Sequence, residues 1–339
     1  MTPAMLDRLN LVAVQAKPAL PDYRDHAAFH AKIASLMAAV ARVADLSLPT
    51  LVSFPELIGM YLAFVPHYWD DIAGETNLET AATQIVMKNI AAVPEQHRTS
   101  PEAAARHLLF LQHAVETEAA YVATFSSLAR EFGVYLAAGS IALPPIEHEP
   151  SRGGAHVADA AHIYNTAFLF SPRGVCLNRV PKVNLVPGFE ERVFDPAPPS
   201  ALVPADTAVG RIGTLVCFDG FHETLVERYD AQRVQIMLKP SYNMHPWNTP
   251  WSFDETKLES ENWLNTGCPS IIQGRENVRY GVNTMMVGAV FEDTAAEGLS
   301  SIAVNTGRPG ASWEDAVLAM ASDPTAEEII VSTVDAVHP

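Results

Sequence analysis

The apolar positions of this chain fall into short runs and helical stripes that alternate along most of its length. Residues 9–16 form a β-rich apolar run interrupted by Asn10 and Gln15, which predicts a first strand. After a turn at Pro18 and Pro21, Phe29, Ile33, Leu36, Val40 and Val43 recur at steps of three and four, the spacing of one buried helical face. Residues 50–54 read as a second strand stopped by Pro55. Residues 63–132 are Ala-rich and helical, with Pro94 and Pro101 separating two pieces, and 134–138 return to strand. Residues 144–162 are rich in proline, glycine, charge and histidine and predict a surface loop. Residues 163–170 and 175–180 flank Ser171-Pro172-Arg173-Gly174 and predict a hairpin. Further strands are expected at 209–216, 234–238, 270–273, 284–291, 301–304 and 329–334, with helices at 223–232 and 255–266.

Strands interleaved with helices place the chain in the α/β class. The hairpin and the adjacent late strands argue against one purely parallel sheet and favour two mixed sheets packed together under helices. No internal repeat and no long linker divides the sequence, so residues 1–339 are expected to form a single domain. A helical insertion is expected at about 63–132 and a C-terminal extension at about 305–339.

Composition narrows the function classes. With 48% hydrophobic and 18% charged residues, the chain has the apolar surface for a large core, which excludes a disordered acidic scaffold. A net charge of −17 disfavours nucleic acid and anionic membranes as partners. Cys176, Cys217 and Cys268 are an odd set that builds no disulfide framework and suits a reducing compartment. The first residues read as the approach to a strand and not as a signal peptide, and no apolar run nears the roughly 20 residues of a membrane helix. A cytoplasmic protein is expected.

Several familiar motifs are missing. There is no GxxxxGK[ST] loop, no GxGxxG after a strand and no GxSxG elbow. His222-Glu223 lacks the second histidine of a zinc protease, where Val226 stands instead. The twelve histidines show no ligand spacing, and His148, His156 and His162 belong to the polar loop. No metal or cofactor is called for.

Three segments each put a reactive residue at the end of an apolar strand. Val52-Ser53-Phe54-Pro55-Glu56 sets a carboxylate at a sheet edge, where partial burial raises its pKa toward that of a general base. In the run from Arg179 to Phe194, Lys182 follows the hairpin, and Glu190 and Glu191 lie eight and nine positions on. Leu215-Val216-Cys217-Phe218-Asp219-Gly220 ends a strand in a thiol just as the chain turns toward a helix.

In order and wording these segments resemble the nitrilase superfamily of carbon-nitrogen hydrolases. Gly274-Arg275-Glu276-Asn277 and Lys239-Pro240-Ser241 add to the likeness, which spans roughly residues 9–304. The resemblance implies a four-layer α-β-β-α sandwich that dimerises or forms higher homo-oligomers. It also implies an active site of Glu56 as general base, Lys182, and Cys217 as nucleophile. Glu191 matches the additional glutamate that many members place beside the lysine, with Glu190 as the alternative.

These roles are chemically coherent. A thiol of ordinary pKa, about 8.5, is mostly protonated near neutrality unless a neighbour takes the proton. Attack on an amide carbonyl builds an oxyanion that Lys182 and the backbone N–H of Phe218 would stabilise, and such a donor typically contributes on the order of 10² to 10³ in rate. Two carboxylates would keep Lys182 charged.

The chain departs from the family pattern in two places, with Pro181 immediately before Lys182 and His222 before the glutamate that follows the cysteine motif. Cys217-Phe218-Asp219 resembles amidases more than nitrilases, which tend to carry Trp-Glu. Gly220 and Phe221 stand where N-carbamoyl amino acid hydrolases often carry arginines. A small amide is therefore the expected substrate. A nitrile, an N-carbamoyl amide and a non-catalytic interaction role are the alternatives. Tyr61, Phe218, His222, Tyr242 and Asn243 are expected at the pocket wall by their position next to the reactive ends.

Overall fold

The computed structural model describes residues 7–149, 154–251 and 254–337. The chain begins with β1 (Arg8–Gln15), α1 (His26–Val43) and β2 (Thr50–Ser53). A helical stretch follows, of α2 (Val65–Ile72), α3 (Leu78–Asn89), α4 (Pro101–Arg106), a π-helical turn at His107–Leu111 and α5 (Ala114–Phe132). Next come β3 (Tyr135–Leu143), β4 (Ile146–Glu149), β5 (Gly154–Val157), β6 (Tyr164–Phe170) and β7 (Cys176–Pro181). Then β8 (Ala205–Thr207), β9 (Gly210–Thr214), α6 (Glu223–Ala231) and β10 (Ile236–Tyr242) lead to a short pair, β11 (Pro250–Trp251) and β12 (Asp254–Leu258). The chain closes with α7 (Glu259–Asn265), α8 (Cys268–Ile271), β13 (Tyr280–Met286), β14 (Ser301–Val304), α9 (Trp313–Ala316), β15 (Val317–Met320) and β16 (Glu328–Asp335).

The strands assemble into two six-stranded mixed sheets, ordered β16-β1-β2-β3-β6-β7 and β15-β14-β13-β10-β9-β8. Successive side chains of a strand point to opposite faces, and β1 uses both. Leu9, Leu11 and Ala13 join the core between the sheets with Leu51, Ile212, Ile236, Leu238, Val282 and Ile302. Val12 and Val14 face outward to Phe29, Ile33 and Val40 of α1 and to Tyr121 and Phe125 of α5. On the opposite outer face, Leu225, Val226 and Tyr229 of α6 pack on Leu215 and Met237. Burial on both faces explains why these strands read as near-continuous apolar runs, and the four layers are the expected α-β-β-α sandwich. Among the described residues no helix is long and apolar enough to cross a membrane.

Some expectations about local structure are corrected. Residues 270–273 are not a strand: Pro269 stands in the first turn of the short helix α8, and Ser270-Ile271-Ile272-Gln273 is too short to carry a period that separates helix from strand. The helix expected at 255–266 begins only at Glu259, after β12. Residues 144–162 contain the β4–β5 hairpin, with residues 150–153 outside the described set. Residues 305–339 supply an edge strand to each sheet, β16 pairing with β1 along its whole length from Arg8 opposite Asp335 to Gln15 opposite Glu328.

Parallel pairing of β1, β2 and β3 in one sheet, and of β9, β10 and β13 in the other, gathers their C-terminal ends. The two sets of ends meet where Thr284 Oγ1 donates to Ser53 Oγ at 2.9 Å. The reactive segments leave the sheets at this seam, the position where open α/β sheets usually bind their ligands.

Candidate active site

Glu56 follows β2 and Pro55. Its neighbour Leu57 sits at φ 56°, a left-handed conformation costly for a side-chain-bearing residue, and is held there by a 2.8 Å hydrogen bond from its N–H to Ser140 Oγ. Gly139, at φ 71°, lets the backbones touch: a Cβ there would lie 1.9 Å from the Pro55 carbonyl oxygen. Lys182 follows β7, and its N–H donates to the Asn165 carbonyl at 2.8 Å. The loop beyond it is anchored by Asp219, whose carboxylate accepts from the N–H groups of Val183 at 3.0 Å and Asn184 at 2.6 Å. Cys217 opens a 3₁₀ turn, Cys217–Phe221, directly after β9 at φ 48°.

These loops bring four buried side chains together. Lys182 Nζ donates to Glu56 Oε1 at 2.8 Å and to Glu190 Oε1 at 2.7 Å. Asn165 Nδ2 donates to Glu56 Oε1 at 2.8 Å, and the Cys217 thiol stands beside the same carboxylate and favours its charged form. Relative exposure is 1% for Glu56 and Lys182, 5% for Cys217 and 6% for Glu190, so the cluster acts in a medium where charges are felt strongly.

Burial dominates the proton affinities. It raises Glu56 to about 7, with Lys182 opposing and Glu190 adding to the rise. Burial, together with the Glu56 charge, raises the Cys217 thiol to about 12. For Lys182 burial pulls downward, but Glu56, the Cys217 thiolate form and Glu190 outweigh it, and its pKa lies above the ordinary value. A lysine paired with one carboxylate would be expected to lower that carboxylate. Here the second carboxylate and the dry surroundings reverse the sign at Glu56. The resting cluster near neutrality is a charged lysine, a protonated thiol and a carboxylate able to accept that thiol's proton.

One expected residue is displaced by one position. Glu190, not Glu191, lies against Lys182. The 3₁₀ turn Glu190–Arg192 points Glu190 inward, where its Oε2 also accepts from Val186 N–H at 2.7 Å. Glu191 is exposed and accepts from Gly188 N–H at 3.1 Å.

The expected wall residues have mixed placements. Tyr242 reaches the site through its backbone: its carbonyl oxygen is 3.9 Å from Cys217 Sγ, while its hydroxyl donates to the Thr294 carbonyl at 2.5 Å. Tyr61 is buried against Tyr23, Phe64 and Phe291 and hydrogen-bonded to Tyr242, which makes it part of the aromatic core behind the site. The side chain of Asn243 is spent on the carbonyls of His245 and Glu297, bracing the loop after β10. Phe218 and His222 are half-buried beyond the thiol, their rings edge to face at 4.8 Å.

Other residues had no role assigned from sequence. Asn165 lies within β6, and nothing in its neighbours marks it. Arg275 and Asn277, from Gly274-Arg275-Glu276-Asn277, bind α6: Arg275 pairs with Glu223 at 2.8 Å, and the N–H of Asn277 donates to Asp230 at 2.7 Å. Lys239 is fully buried with its ammonium 3.4 Å from the Phe221 ring centroid and 4.2 Å from that of Trp263. It has no hydrogen-bond partner among the described residues, and burial lowers it to about 8. Its stem explains Gly220, where a Cβ would stand 2.7 Å from Lys239 Cδ.

Fold and site together define an α-β-β-α sandwich with a buried thiol, lysine and carboxylate cluster at the seam of its sheets. The chain belongs to the carbon-nitrogen hydrolase family, whose sequence model matches residues 11–296. Its fold is that of the nitrilase superfamily. Nit3 of Saccharomyces cerevisiae, a member of branch 10 of that superfamily, aligns with a TM-score of 0.58 at 19% identity over 99% of this chain and 93% of its own. A mutant of the amidase from Nesterenkonia sp. AN1, carrying the acetamide moiety of fluoroacetamide on its active site cysteine, aligns at 0.57 and 16% identity over 99% and 93%.

Among curated proteins, the apolipoprotein N-acyltransferase of Geobacter metallireducens is 27% identical over 66% of this chain and 44% of its own length. The human omega-amidase NIT2 is 26% identical over 48% and 56%. The matches thus span about half the length of these curated relatives.

Proposed function

We propose that this protein hydrolyses the carbon-nitrogen bond of a small non-peptide amide through a thioester on Cys217. The observation that carries the reading is Lys182 held by hydrogen bonds between Glu56 and Glu190, with the buried Cys217 thiol beside Glu56. Glu56 takes the thiol proton as sulfur attacks the carbonyl carbon. The resulting oxyanion is stabilised by the charge of Lys182, which Glu190 keeps oriented. The carbon-nitrogen bond breaks as Glu56 returns the proton to the leaving ammonia or amine. Water then gives a proton to Glu56 and attacks the thioester, and the carbon-sulfur bond breaks to release the acid and the thiol. Each proton taken is returned, so the cycle needs no redox partner or cofactor.

The Phe218-Asp219 pair after the cysteine favours an amide over a nitrile. Asp219 is occupied in bracing the Lys182 loop, a role that a longer Glu would fill with different geometry. Ammonia release from a panel of small amides and a matched panel of nitriles, with Cys217→Ala as the control, tests the reading. Turnover of amides that disappears in Cys217→Ala is expected. Turnover of nitriles alone would displace the amide, and turnover that survives in Cys217→Ala would remove the thioester.

A further inference from the structure

The twelve histidines have no ligand spacing along the chain, yet folding gathers several of them in the outer helical layer. His26 is the first residue of α1, His67 lies in α2, and Glu116 lies in the first turn of α5. One potential ligand atom from each lies within 4.8 Å of the other two. The Nε2 atoms of His26 and His67 are both buried from solvent and both lack a hydrogen-bond partner. A buried polar atom left unpaired is costly, and here two imidazole nitrogens are left so in one place. The ring of His113 stacks on that of His67 at 3.8 Å with 8° between planes, which fixes the orientation of His67 without adding a ligand.

We propose that His26, His67 and Glu116 bind one divalent transition-metal ion of zinc type. Two imidazole nitrogens and a carboxylate suit such a borderline cation, with water completing a tetrahedron. Bonds of about 2.0 to 2.2 Å set ligand atoms about 3.4 Å apart, so the three groups draw together on binding, with Glu116 the exposed one of the three. His67 also lines a surface cleft with Asp25, Asp70 and Asp71, of which Asp25 pairs with Arg24 and Asp71 with Lys88, and this cleft opens beside the three groups. None of these residues belongs to the Cys217 cluster. Bound metal would clamp α2 and α5 to α1, so its role is to stiffen the helical layer, not to take part in the chemistry.

The test is titration of the EDTA-dialysed full chain with Zn²⁺ by calorimetry and thermal unfolding, and with Co²⁺ by visible absorption. Because a reactive thiol also binds zinc, the same titrations are run on Cys217→Ala. Saturation at one equivalent per chain is expected in both proteins, with a raised unfolding midpoint and the ligand-field bands of tetrahedral cobalt. His26→Ala and His67→Ala should weaken binding by more than about 100-fold, beyond the loss typical when an outer-shell partner is disturbed. His97→Ala should not change it. If the histidine variants fold poorly, protection of His26 and His67 from diethyl pyrocarbonate by zinc, read by peptide mass in the wild-type chain, gives the same answer. No saturable binding, binding that vanishes in Cys217→Ala, or no protection of these two histidines would overturn the proposal.

Discussion

Lys182 donates a 2.7 Å hydrogen bond to Glu190, while Glu191, one residue further on, faces solvent. Position in a single 3₁₀ turn thus decides which of two adjacent glutamates holds the cationic group of the site. Glu190→Gln is expected to lower kcat by about 10² or more, the usual scale for disturbing an oxyanion donor, whereas Glu191→Gln should stay within about threefold of wild type. Steady-state kinetics of the two variants decide it, and equal losses would contradict the assignment.

In the proposed mechanism the raised Glu56 sets the acid limb of activity. Its carboxylate form must be present to accept the thiol proton, and burial lifts its pKa to about 7. The sign follows: kcat/KM should be near its plateau above pH 7 and fall about tenfold per unit below it. A pH profile that stays flat from pH 7 down to pH 5 would show that Glu56 is not the titrating base.

Removing the lysine should damage the fold as well as the chemistry. Lys182→Met leaves Glu56 and Glu190 buried with no cation between them, and breaking a buried pair in this way costs about 3 to 5 kcal/mol. Urea unfolding should show that loss, and Lys182→Met/Glu190→Gln should recover part of it because one uncompensated charge is gone. No recovery would mean that Glu190 does not depend on Lys182 for its place in the cluster.

Gly139 serves the site from a distance. At φ 71°, with the Pro55 carbonyl 1.9 Å from where a Cβ would stand, Gly139→Ala must push the Pro55-Glu56 backbone away. A stability loss of at least about 1 to 3 kcal/mol is expected, together with a fall in kcat larger than any change in KM. Thermal unfolding and kinetics of this variant give both readouts.

The readable parts of the site were those where a reactive residue terminates an apolar strand. Glu56, Lys182 and Cys217 all do so, and a run such as Leu215-Val216-Cys217 carries its own signal. The layered fold was legible for the same reason, because strands buried on both faces leave long apolar runs. Glu190 is not separable from Glu191 in the sequence, since the 3₁₀ turn that contains both sets which carboxylate points inward. Asn165 was invisible because its contact with Glu56 joins positions 109 apart in sequence. α8 is not legible because four residues, Ser270 to Gln273, are too few to show a period. His26, His67 and Glu116 come together from three helices, so no local spacing announces them.

The central claim is that Cys217 carries the acyl group. Rapid acid quenching during turnover of a small amide, followed by intact mass and peptide mapping, measures this directly. The account predicts a mass increase equal to the substrate's acyl group, located on Cys217 and absent from Cys217→Ala. Turnover with no adduct on Cys217, accompanied by undiminished activity of Cys217→Ala, would contradict it.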